Sequence, residues 1–127
     1  MRTPFVVWYS ILIGAVACSG STSPVCTLEF RPAVVVYVKD SLTRAGVASG
    51  ASLVVREGSY KDSVAAPASR PDLDNSALAA AGERSGTYQV TVLKPGYAAW
   101  LQSNVRVTSN KCHVNTVTLT ALLQPAS

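Results

Sequence analysis

Apolar residues recur along this chain with a period of two, in short runs separated by turn residues. The clearest run is TYQVTVLK at 87–94, where Tyr88, Val90 and Val92 share one face and Thr87, Gln89 and Thr91 the other. That alternation marks a half-buried strand. The segment CTLEFR at 26–31 alternates in the same way and is expected to open the domain as a strand, interrupted by Pro32. The β-branched run AVVVYVK at 33–39 has no clear polar phase and is expected to be a strand buried on both faces. Further strands are expected at 51–57, at 59–64 after a turn at Gly58, at 104–108 and at 112–123. In the last of these the apolar phase shifts between Val114 and Val117, which predicts a bulge or kink near Asn115. The segment ALAAAGER at 77–84 is ambiguous. Its alanines favour helix, whereas the Ser85-Gly86 turn beyond it suggests the first arm of a hairpin with 87–94.

Turn chemistry at 40–46 and at Lys94-Pro95-Gly96-Tyr97, with a polar two-proline loop at 66–76, breaks the chain every eight to twelve residues. Seven or so short strands so punctuated predict an all-β fold, an Ig-like antiparallel β-sandwich. Composition agrees: Thr, Val, Ser and Tyr are abundant, and the helix formers Glu, Lys and Met are scarce. The 127 residues suffice for one domain. With 48% apolar and 14% charged residues, the chain is not of the disordered class. The net charge is +4, but the basic residues are scattered from Arg31 to Lys111 without a run or interleaved aromatics. Nucleic acid is therefore not expected as a partner.

The N-terminus departs from the strand pattern. After Arg2, the 13 residues from Phe5 to Ala17 are apolar apart from Ser10 and Gly14. A bilayer-spanning helix takes about 20 residues, so this run fits the core of a signal peptide instead. Small residues at Ala15 and Ala17 end it, and Cys18 follows at once. The junction Ala15-Val16-Ala17-Cys18 resembles the bacterial lipobox, with Ala15 where leucine is usual. That resemblance implies a diacylglycerol on the Cys18 thiol and further acylation, palmitate among the chains. Ser19-Gly20-Ser21-Thr22-Ser23-Pro24 then reads as a flexible tether. Two or three acyl chains, at about 0.8 kcal/mol per buried methylene, hold a protein on a membrane without a spanning helix. The expected organisation is a signal peptide over 1–17, a lipidated Cys18 with its tether over 18–25, and a sandwich over 26–124. Such a protein is exported and anchored in the cell envelope. Ser19, rather than an acidic residue, favours the outer membrane if the cell has one.

With Cys18 lipidated, Cys26 and Cys112 remain, at the starts of the first and last expected strands. Beyond the cytoplasmic membrane they are expected to form a disulfide. The alternative, a metal site with His113, lacks a full ligand set at suitable spacing, so no metal is expected.

The segment Gly86-Thr87-Tyr88-Gln89-Val90-Thr91-Val92, followed by Lys94-Pro95-Gly96-Tyr97, resembles the signature of carboxypeptidase regulatory-like domains. Val105-Arg106-Val107 and Val117-Thr118-Leu119 resemble that family's closing strands. Its opening hairpin is matched by Val36-Tyr37-Val38-Lys39-Asp40 with Gly46-Val47-Ala48 and 51–55. The likeness covers about residues 33–123 and implies a transthyretin-like sandwich of about seven strands. It also implies a non-catalytic accessory, packing or binding role. The cysteine pair is not part of that family's pattern, and no peptidase domain accompanies the chain.

Candidate chemistry is sparse. The hydroxyisourate hydrolases, enzymes of the transthyretin-like fold, need several histidines and a specific C-terminal tetrapeptide; this chain has one histidine and ends QPAS. No nucleophile elbow, P-loop or paired-histidine zinc motif occurs. His113 reads as a polar strand residue, and Asp72-Leu73-Asp74-Asn75 lacks the glycine and distal glutamate of a calcium loop. No cofactor and no catalysis are expected. Tyr60, Tyr97 and Trp100 are the aromatics placed near loops, where they either cap the core or offer a surface to a glycan or an envelope protein. The expected function is a rigid structural or protein-interaction module on the envelope, the alternative a carbohydrate- or small-ligand-binding one.

Overall fold

The computed structural model describes Gly14 and residues 25–127. The expected signal peptide (Gly14 apart), the lipid site Cys18 and the tether up to residue 24 lie outside the described residues.

Seven strands form: β1 (Pro32–Asp40), β2 (Ser52–Glu57), β3 (Tyr60–Ala65), β4 (Ala77–Gly82), β5 (Gly86–Leu93), β6 (Trp100–Val107) and β7 (Val117–Leu123). They build a three-stranded sheet ordered β4-β1-β7 and a four-stranded sheet ordered β3-β2-β5-β6. The chain is thus an all-β sandwich. One strand pair departs from the antiparallel expectation: β7 runs parallel to β1.

The alternation along each strand decides which side chains meet between the sheets. Val34, Val36 and Val38 of β1 face Leu53 and Val55 of β2 and Tyr88, Val90 and Val92 of β5, all at most 1% exposed. Ala121 and Leu123 of β7 complete this core. Burying each such aliphatic side chain contributes about 1.5–3 kcal/mol. At the Lys94–Tyr97 turn, Gly96 takes a φ of 85°, and the Tyr97 N–H donates to the Lys94 carbonyl at 3.1 Å. Proline followed by glycine is what a turn with that left-handed third residue needs.

Several expectations are corrected. The run 33–39 is a strand, but Tyr37 is 41% exposed and Val35 half-buried, so only one face is fully covered. The ambiguous 77–84 segment is a strand over Ala77–Gly82, yet it pairs with β1 rather than forming a hairpin with β5. The reason lies at its end: Ala81 and Glu83 adopt left-handed φ of 59° and 50°, and the chain crosses to the other sheet before β5 begins. Residues 26–31 form no strand; the Cys26–Cys112 bond, the Phe30 contact with Gly82 and the Arg31 N–H on Glu83 hold them across the end of the sandwich. β6 starts at Trp100, earlier than expected, and β7 only at Val117, so the irregularity expected near Asn115 falls in a loop. The bulge lies instead between β5 and β6.

Candidate functional site

The starts of β1, β5 and β7 and the ends of β2, β4 and β6 gather at one end of the sandwich. The segment before β1 crosses that end as a strap. Cys26 and Cys112 are joined by a disulfide with their Cα atoms 5.1 Å apart, closing a sequence separation of 86 residues. Just past it, the Asn110 side-chain oxygen accepts the N–H groups of Cys112 and His113 at 2.8 and 2.9 Å. That turn aims His113 at Glu83, with Nδ1 2.7 Å from Oε1, while Nε2 lies 3.0 Å from the Thr27 hydroxyl. His113 therefore sits in no strand, contrary to expectation, and is held between the strap and the end of β4.

Glu83 is the hub. Its carboxylate accepts the N–H of Arg31 at 2.9 Å and of Val114 at 3.3 Å in addition to the His113 contact. These contacts, His113 first, hold its pKa below the ordinary value for a glutamate. The left-handed backbone at Glu83 places that carboxylate between strap and loop. Phe30 lies over Gly82 so closely that a Cβ there would collide with its ring. Only glycine admits the strap at that distance. Between strap and loop lies an open cavity of about 430 Å³, lined by Thr27, Phe30, Glu83, Ser85, Lys111 and His113 among others. Val25, Leu28 and Phe30 project from the strap, each at least 73% exposed.

Hydroxyl, imidazole and carboxylate stand here in the order that a nucleophile, base and orienting acid take in hydrolases. The N–H groups of Cys112 and His113 are engaged on Asn110, and that of Val114 on Glu83. The array ties the strap to the sandwich. Its strength should follow pH. A carboxylate whose folded-state pKa is lowered stabilises the fold above the ordinary carboxylate value of about 4.3, and that stability is lost as pH falls through the lowered value. In thermal melts the Glu83→Gln variant should fall below the wild type at pH 6 and converge on it toward pH 3. A gap independent of pH would remove Glu83 from this role.

Tyr60, Tyr97 and Trp100 are all half-buried against the core, and the fold does not bring them together. Tyr60 stands at the strapped end, where the Arg84 guanidinium lies 3.8 Å over its ring and pairs with Glu57 at 2.9 Å. Tyr97 and Trp100 lie toward the opposite end, at the turn before β6 and its first residue. There the Tyr97 hydroxyl donates to Asp40 at 2.8 Å, and Asp40 also accepts the N–H groups of Leu42 and Thr43. Those contacts, Thr43 and then Tyr97 foremost, lower the Asp40 pKa, and Asp40 in turn raises that of Tyr97. Asp72 and Asp74 of the acidic loop are spent separately, on Arg70 and on the Ser49 N–H. No group of three or more potential metal ligands occurs among the described residues.

The Glu83 hub was not visible in the sequence, because His113 and Glu83 lie 30 residues apart with no motif between them. Comparison with protein-family models and with curated proteins finds no match for the chain.

Proposed function

We propose that this chain is an exported lipoprotein of the bacterial cell envelope, anchored through acyl chains on Cys18. Its sandwich serves as a rigid, non-catalytic module for structural or protein-interaction roles. The observation that carries this reading is the Cys26–Cys112 disulfide, eight residues downstream of the lipobox-like cysteine. Disulfides persist in oxidising compartments, which is where such a signal would deliver the domain. The same bond fixes the segment that leaves the tether onto one end of the sandwich, so pull on the anchor reaches the β-sheets through a covalent staple. The exposed Val25, Leu28 and Phe30 place apolar surface close to that anchor, where a partner within the envelope would meet it. Non-catalytic use fits the Thr27–His113–Glu83 array, which ties the strap to the sandwich. The carboxypeptidase regulatory-like likeness of 33–123 agrees with such an accessory role.

The test is metabolic labelling. Cells expressing the wild-type chain should incorporate labelled palmitate into it and hold it in the membrane fraction, while the Cys18→Ala variant should take up no label. Absence of label in the wild type, or equal label in the variant, would refute the anchor.

A further inference from the structure

The outer face of the four-stranded sheet carries charge without a partner. Leu53, Val55, Tyr88, Val90 and Val92 are buried between the sheets, so Arg56, Thr87 and Gln89 turn outward. In the strand register Lys61 of β3 stands directly opposite Arg56 of β2, Arg56 opposite Gln89 of β5, and Arg106 of β6 opposite Thr87. Cations that are scattered in sequence thus form one oblique row across four strands, each exposed. Among the described residues none of the three is in an ion pair; the pairs present involve Arg31, Arg70, Arg84 and His113. Like charges directly opposite one another weaken a strand pair, so solubility alone does not favour putting Arg56 against Lys61.

The backbone beside this row is irregular. Between the pairs Tyr88–Val105 and Val90–Gln102, Gln89 alone opposes both Ser103 and Asn104. Asn104 there adopts a left-handed φ of 57°. Bulges redirect side chains and recur beside binding sites, and left-handed residues other than glycine concentrate at functional positions. The result is a shallow cleft of about 440 Å³ lined by Arg56, Glu57, Thr87, Gln89, Ser103 and Asn104 among others. Glu57 does not cancel the cations, because its carboxylate is engaged by Arg84 and by the Thr87 N–H.

We propose that this face binds an anionic polysaccharide. Arg56, Lys61 and Arg106 take the carboxylates, and the amides and hydroxyls of Gln89, Asn104, Ser103 and Thr87 take sugar hydroxyls. The cleft presents no exposed aromatic for base stacking and no exposed large apolar anchor of the kind protein partners use. Leu93 and Leu101 are exposed on the same face toward its other end, which makes an anionic membrane the competing occupant. The site is separate from the strapped cavity and does not depend on lipidation of Cys18.

The test uses the full chain as purified, with polygalacturonate as probe, neutral dextran as control and phosphatidylglycerol vesicles as competitor surface. The wild type should bind polygalacturonate and not dextran, more weakly as salt rises. Each exposed ion pair is worth about a two- to five-fold change in affinity, so Arg56→Gln/Lys61→Gln/Arg106→Gln should weaken binding about tenfold or more. Asn104→Gly keeps the left-handed backbone and should weaken binding without lowering the melting temperature. No polygalacturonate binding, equal affinity in the triple variant, or unchanged affinity in Asn104→Gly would overturn the proposal. So would a difference between wild type and triple variant seen on the vesicles but not on the polysaccharide.

Discussion

Replacing Cys26 and Cys112 together by serine should lower the free energy of unfolding by about 4–5 kcal/mol, the chain-entropy value for a loop of this length. The two cysteines are 86 residues apart, so their bond restricts nearly the whole unfolded domain. Native domains are stable by only about 5–15 kcal/mol, and this one bond is therefore a large share of the total. The effect should reach beyond entropy. Without the bond, the strap rests on the Thr27, Arg31 and Phe30 contacts to His113, Glu83 and Gly82. Urea unfolding of the double-serine variant, compared with the oxidised wild type, measures the difference. A loss below about 1 kcal/mol would mean that the unfolded chain is already restricted without the bond.

Tyr88→Ala should cost about 3–5 kcal/mol, the range for removing a large buried aromatic side chain. The Tyr88 side chain is 1% exposed at the start of β5. Its ring meets Tyr60 at 6.2 Å between centroids, and its hydroxyl donates to the Arg84 carbonyl at 2.7 Å. It also accepts from the Arg84 guanidinium at 3.0 Å, so one side chain ties the sheet core to the Arg84–Glu57 pair. Tyr88→Phe separates the two contributions. It keeps the ring but loses both hydrogen bonds, and should cost about 1–3 kcal/mol at about 0.5–1.5 kcal/mol per bond. Equal losses in the two variants would assign the whole effect to the hydroxyl and contradict a packing role for the ring.

The strands legible in the sequence were those in which one face is buried and the other wet. Tyr88, Val90 and Val92 show that pattern in β5, and the turn chemistry of Pro95 and Gly96 delimited it. Where pairing, not periodicity, decides, the sequence was silent. Residues 26–31 alternate as a strand does, but the bond to Cys112 and the Arg31 contact to Glu83 hold them across the end of the sandwich rather than along a sheet edge. β4 carries alanines that point equally to helix, and its partner was set by the left-handed residues Ala81 and Glu83, which no propensity marks. The cysteine pair was legible because three thiols, one of them at a lipobox-like junction, leave few combinations. The Glu83–His113 latch and the Lys61–Arg56–Arg106 row were not, because each is assembled across strands from residues that look isolated along the chain. Register alone brings them together.

Acid sensitivity follows from the same placement. Glu83, Glu57, Asp40 and Asp74 all accept hydrogen bonds that lower their pKa values, so the fold loses their contributions together as pH falls below the ordinary carboxylate range. The strap is the element most exposed to that loss, since Glu83 is its principal non-covalent hold.

Cys18 is the proposed anchor, and the Cys26–Cys112 bond the staple that would pass its load to the sandwich. Mass spectrometry of the N-terminal peptide of the protein isolated from membranes addresses this most directly. Anchoring through Cys18 requires a chain that begins at Cys18 and carries the added mass of a diacylglycerol. A chain that retains Met1, or one that begins elsewhere with an unmodified Cys18 thiol, would contradict it.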